Sequence, residues 1–145
     1  MRVNLSAFCL VCTMIVFATV GAPWEAGAAT GAAPALYSLA PTRACLIAAH
    51  VRRLVSGDGS PVFPEVVREL DWSVSTEGDI FILFAKNPAH GAVLAQRVRQ
   101  VSHAFGATDA EIRKWIFQRR NVVVYPNAFT AVTPARRATV ERCLH

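Results

Sequence analysis

Lysine is almost missing from this chain: Lys86 and Lys114 are the only two, against thirteen arginines. Together with the abundance of alanine, that bias matches GC-rich, bacterial-type coding, so arginine usage by itself implies no function. Close histidine pairs are missing too. His50, His90, His103 and His145 each stand alone at the three- or four-residue spacing a local metal motif needs. His90 and His103 share an expected helix but, thirteen positions apart, fall on different faces. There is no G-x-S-x-G elbow, which removes the usual exposed serine nucleophile of an α/β-hydrolase. Gly57-Asp58-Gly59 has no following lysine and opens no helix, so it is not a phosphate-cradling loop. No nucleic-acid motif appears. We therefore assign no cofactor, no metal ligand and no catalytic residue from motifs.

A long run that is both uncharged and strongly apolar stands at the start. Leu5 to Val20 carries no charge, follows Arg2, and is succeeded by Gly21, Pro23 and the small-x-small triplet Ala26-Gly27-Ala28. This is the pattern of a secretory signal over residues 1–28 cleaved after Ala28 (Ala29 is the near alternative), and it predicts a secreted or envelope-facing protein. The rival is an uncleaved N-terminal membrane anchor, since a run continued to Ala22 approaches the ~20 residues that span a bilayer. Cys9 and Cys12 have C-x-x-C spacing but lie inside the apolar run, without the polar strand-to-helix setting that depresses a redox thiol. Two cysteines remain, Cys45 and Cys143. An even count in an oxidising compartment predicts a bridge across 98 residues, with two buried free thiols as the alternative.

Residues 29–35 are Ala, Gly, Thr and Pro without apolar period and read as a disordered mature N-terminus; residues 36–145 read as one small domain. Leu36–Leu39 reads as a short extended segment and Pro41 as the first turn of a helix ending near His50. Val51–Val55 is ambiguous between helix and strand, Ser56–Pro61 is turn chemistry, and Pro64–Val67 reads as a short helical turn. Leu70, Trp72 and Val74 alternate with polar residues, and Asp79–Ala85 is almost wholly apolar, which predicts a hairpin. Asn87 caps a helix whose stripe is Leu94, Val98, Val101 and Phe105. Thr108 and Glu111 have capping-box spacing before Ile112 and Ile116. Asn121–Tyr125 is a β-branched strand, and Thr133-Pro134 opens a last helix with Val140, Cys143 and Leu144. The order predicts an α/β fold, an α+β two-layer sandwich of ferredoxin-like order with an added C-terminal helix.

Charge is asymmetric. Residues 29–85 carry four basic against six acidic side chains, and residues 86–145 ten against three, in a chain of net charge +5. Arg97, Arg113, Lys114, Arg119 and Arg120 are the candidate anion-binding residues of a basic C-terminal half. Arg99, Arg136, Arg137 and Trp115 lie in the same half. An anionic cell-envelope polymer or lipid headgroups are the partners such a face fits. An ordinary solvated surface is the competing reading. For chemistry, Asp71 and Asp79 flank the hairpin and could face each other as a carboxylate pair for acid–base work, solvated strand-edge charges being the competing reading; separately, His90, in the first turn of its helix, is the histidine worth testing. The first reading is thus a non-catalytic exported binding domain, and the alternative a small exported hydrolase-like enzyme.

Arg43-Ala44-Cys45-Leu46, Arg119-Arg120-Asn121-Val122-Val123-Val124 and Arg142-Cys143-Leu144 give a resemblance over most of the mature domain. The chain is similar to small exported proteins of GC-rich, actinobacterial-type bacteria with no assigned function. The resemblance implies two cysteines that pair, and carries no catalytic or binding residue over.

Overall fold

A computed structural model describes residues 35–74 and 78–144. The proposed signal segment lies outside the described residues. The order is α1 (Leu39–Ala48), β1 (Leu54–Gly57), β2 (Val66–Ser73), β3 (Asp79–Ala85), α2 (Pro88–Ala104), α3 (Asp109–Trp115), β4 (Phe117–Arg119), β5 (Val122–Pro126), a 3-10 turn (Phe129–Ala131) and α4 (Pro134–Cys143). The five strands form one sheet in the order β1-β2-β3-β5-β4, and every neighbouring pair is antiparallel.

The α/β class expected from the residue pattern is observed, with helices packed face-on to the sheet. Alternation along the strands sorts side chains to two faces. Leu70, Ile82 and Val124 stand opposite one another across β2, β3 and β5 and pack with Leu46 of α1 and Val140 and Cys143 of α4. One residue along, Leu83 and Val123 point the other way and pack with Leu94, Ala95 and Val98 of α2 and Ile112 of α3. β3 and β5 thus bury both faces, which is why each reads as a continuous apolar run rather than an alternation.

The ferredoxin-like order is not the one observed. That order needs parallel neighbours joined by crossovers, and here the first strand comes after α1, so β1, β2 and β3 form a meander. Leu36–Leu39 is not a strand: residues 35–38 are irregular and α1 starts at Leu39. Val66 opens β2 rather than ending a helical turn, and β1 runs through Gly57 into what reads as turn chemistry. β4 was hidden in the sequence because it is only three residues long; Arg120, at φ 50°, turns it directly into β5. The caps are as expected. Asn87 accepts from the His90 N–H, Thr108 and Glu111 form a reciprocal capping box, and Thr133 accepts from the Arg136 N–H.

Phe105 departs from its expected place on the α2 stripe. The helix ends at Ala104, so Phe105 is its C-cap and stands 88% exposed. At the opposite end α2 closes on the β4–β5 turn through Gly91. A Cβ there would sit 2.7 Å from the Arg120 carbonyl oxygen and 3.2 Å from the Asn121 Cα, both main chain. We expect Gly91→Ala to destabilise the fold by about 1–3 kcal/mol through this overpacking despite alanine's better helix propensity. Equilibrium urea unfolding measures it.

Cys45 of α1 and Cys143 of α4 are joined by a disulfide with Cα atoms 5.4 Å apart, the bridge expected from the cysteine count. No helix among the described residues is long and apolar enough to cross a membrane.

Candidate functional site

The candidate basic residues of the C-terminal half are spread over separate elements, and most engage the protein itself. Arg97 on α2 pairs with Glu65 at 3.0 Å. Lys114 lies over the Trp115 ring at 4.5 Å, next to Arg113 in the last turn of α3. Arg119 reaches Glu141 at 3.5 Å. Arg120 donates to the Ala35 carbonyl and lies 5.0 Å over the Tyr37 ring. Arg137 pairs with Glu141 at 3.0 Å, donates to the Lys114 carbonyl and covers Phe117. These contacts tie α4 to the α3–β4 edge. The cationic stems do packing as well as carrying charge.

Another cationic arrangement forms elsewhere, from residues of both halves. Between the α1–β1 connection and α4 is an open cavity of about 650 Å³ whose walls include His50, Arg52, Arg53, Trp72, Arg136 and Thr139. The local backbone explains the convergence. His50 at φ 61° and Arg53 at φ 58° are both in the left-handed region, which costs a non-glycine residue roughly 1–2 kcal/mol each. This double reversal ends α1 and turns the chain into β1 within a few residues. The Arg53 carbonyl then accepts from the Ser73 N–H at 3.1 Å, extending the β1–β2 ladder past its end. On the opposite wall, Arg136 is oriented by donation to the Ala131 carbonyl at 2.8 Å. The bridge between Cys45 and Cys143 fixes the two walls' parent helices together. Neither strain nor arginine clustering follows from periodicity, so this site was illegible in the sequence, where Arg52 and Arg53 counted only toward a net-acidic half.

The carboxylates flagged for chemistry are brought close. β2–β3 register sets Asp79 opposite Ser73 and Asp71 opposite Phe81, so Asp71 and Asp79 are diagonal neighbours on one face, with Glu69 next along β2. Burial, and secondarily the charge of Asp79, raises the Asp71 carboxyl above its ordinary value; burial and then Asp71 raise Glu69. Tyr125, on the same side of the sheet, is pushed up to about 12 by burial and then by Glu69 and Asp71. One Asp71 carboxylate oxygen is buried without a hydrogen-bond partner among the described residues. His90 is not part of this row: it is exposed in the first turn of α2, its ring Nδ1 2.9 Å from the Asn87 capping oxygen. Among the described residues no three His, Cys, Asp or Glu side chains gather to hold a metal ion.

No family model, no curated protein and no solved structure matches this chain.

The carboxylate row carries a pH prediction. A carboxyl whose folded pKa is raised favours folding while protonated, so its contribution is fully present below the unfolded value and is lost as pH rises through the raised folded one. Asp71 and Glu69 therefore oppose folding above the ordinary carboxylate range. Asp71→Asn is expected to raise thermal stability at about pH 7, by less than about 1 kcal/mol because the group is partly solvated, and to change little near pH 3. Melting curves at the two pH values test it.

Proposed function

We propose that this chain is an exported, disulfide-bonded binding domain without catalytic role that holds a phosphate-bearing anionic partner. The partner is either lipid headgroups or an anionic envelope polymer, held in the cavity between the α1–β1 connection and α4. One observation carries the reading: three arginines and a histidine, drawn from segments more than eighty residues apart, surround a single cavity. Guanidinium groups present planar pairs of donors that match phosphate oxygens, and several converging on one concavity raise the local potential beyond what scattered surface charge achieves. Export is supported by the charge-free run before Ala28 and by a bridge of the kind that persists in oxidising compartments. Intact mass of the protein recovered outside the cell tests that part, with a chain beginning at Ala29 expected and a full-length membrane-retained chain opposing it.

The binding part is tested by co-sedimentation with phosphatidylglycerol vesicles and, separately, by retention on immobilised polyphosphate, each at low and high salt. Arg52→Gln with Arg53→Gln should weaken binding at low salt by roughly tenfold, and salt should abolish it. Arg113→Gln with Lys114→Gln should leave it within about twofold. Binding to vesicles alone identifies the headgroup, and binding to both identifies phosphate in general. Equal binding by wild type and the Arg52/Arg53 variant contradicts the assignment.

The hydrolase-like alternative rests on the proximity of Asp71 and Asp79 and the raised Asp71 carboxyl. Turnover of chromogenic ester or glycoside substrates that disappears in Asp71→Asn would establish it, and no turnover by wild type would end it.

A further inference from the structure

The chain has a second cavity, on the α2–α3 side of the sheet, and its chemistry is the opposite of the first. It encloses about 540 Å³, within the range that takes small organic ligands. Four of the six phenylalanines beyond residue 35 line it: Phe63, Phe81, Phe105 and Phe129. Tyr125 joins them, stacked on Phe81 with centroids 5.0 Å apart and planes at 20°, while Phe63 meets Tyr125 edge-on at 5.9 Å and 82°. Floor and wall are thus an already assembled aromatic surface. The rim is exposed and apolar: Phe105 at 88% and Val62 at 61%.

Charge around this cavity is one-sided. Its lining contains no lysine or arginine, in a chain of net charge +5, and its one ionisable acid is Glu111. Asp71 lies directly across the ladder from the cavity-lining Phe81, and Asp79 is two residues before Phe81 on the same strand face. Asn127, at the cavity wall, donates to the Asp79 carboxylate at 2.9 Å. Besides its burial, the Tyr125 phenol feels the charge of Glu69 and Asp71 on β2. Aromatic faces and nearby carboxylates both attract a cation whose body is apolar, and both disfavour an anion.

From this we infer that the cleft between Phe63, Phe81, Phe105 and Tyr125 binds a small amphipathic cation, an aromatic or apolar body bearing an amine or guanidine group. The site is independent of the anion-binding cavity and lies on the other face of the sheet. The ring body stacks on Phe81 and Tyr125, Phe105 closes over its outer edge, and the cationic head lies toward the Asp71 and Asp79 side of β3.

Three near-isosteric probes separate body from charge: tryptamine, indole-3-ethanol and indole-3-acetate. Titration of the folded, disulfide-bonded protein, followed by heteronuclear NMR, should show tryptamine binding with shifts at Phe81, Phe105 and Tyr125. The alcohol should bind about fivefold more weakly and the acid more weakly still. Phe105→Ser changes an exposed side chain and leaves the fold intact, yet should weaken all three probes together. Asp71→Asn should bring tryptamine down to the level of the alcohol. No shifts at these residues, an acid that binds as well as the amine, or an Asp71→Asn variant with unchanged preference each overturn the inference. So does a wild-type dimer that Phe105→Ser dissociates, which assigns the cleft to a second copy of the chain.

Discussion

Breaking the Cys45–Cys143 bridge is expected to cost about 2–5 kcal/mol and to lower the melting temperature by roughly 10–25 °C. Two features put the effect in the upper part of the ordinary range. The loop it closes spans 98 residues, nearly the whole folded domain, so the unfolded chain loses much freedom when the bond is present. The helices it joins bury few side chains of their own: α1 buries only Thr42 and Leu46, and α4 only Val140 and Cys143, its other ties being the polar contacts of Arg136, Arg137 and Glu141. Helices of ten residues do not persist on propensity alone and need a packed face. Cys45→Ala with Cys143→Ala, melted beside wild type with and without reductant, should show one large loss that reductant does not deepen. Release of α4 would carry Arg136 and Thr139 away from the cationic cavity, so the reduced protein should also lose the anion binding proposed for that cavity while any residual fold persists. A shift of less than about 3 °C would mean that apolar packing alone holds α4 in place.

Replacing Asn121 is expected to cost about 2–4 kcal/mol, a large effect for a residue that contributes no apolar area. Asn121 is 3% exposed and its amide is fully used. Its oxygen accepts from the Tyr37 N–H at 2.9 Å, and its nitrogen donates to the Tyr37 carbonyl at 3.0 Å and the Ala85 carbonyl at 3.1 Å. The side chain thereby gives Tyr37 both partners that a neighbouring strand would have supplied, and anchors the entry to α1 on the centre of the sheet. Asn121→Ala leaves the Tyr37 N–H, the Tyr37 carbonyl and the Ala85 carbonyl without these partners. Asn121→Asp should be worse at neutral pH, because a carboxylate would face two carbonyl oxygens, and should recover partly on acidification. Denaturant unfolding at two pH values resolves both effects. A loss below about 0.5 kcal/mol for Asn121→Ala would show that the Tyr37 segment contributes nothing to the fold.

The Cys45–Cys143 bridge and Asn121 mark how much of the molecule could be read from its chain. The bridge was legible because two cysteines outside the apolar run, in a chain whose start reads as an export signal, leave one simple pairing. The β2–β3 hairpin, the three capped helices and the buried faces of α2 and α3 followed from period and cap chemistry, which are local. Sheet order was not legible. β1 and β4 are short strands whose pairing is decided by what lies beside them, and Leu36–Leu39, apolar enough for a strand, is instead held through Asn121. Nor was the cationic cavity: it depends on two left-handed residues, His50 and Arg53, which no side-chain pattern announces, and on α4 returning to α1. The charge asymmetry between halves was real as a count, and part of it is offset locally, since Arg119 and Arg137 converge on Glu141 and Arg97 pairs with Glu65. Phe105 shows the converse. Helical spacing placed it in the core, and the helix ends one residue too early for that.

The direct measurement is a heteronuclear NMR titration of the oxidised protein with inorganic pyrophosphate at low salt. The proposed function expects saturable amide and side-chain shifts concentrated at His50, Arg52, Arg53, Trp72 and Arg136, reversed by added salt. Shifts centred instead on Arg113, Lys114, Arg119 and Arg120, or none at all, would contradict it.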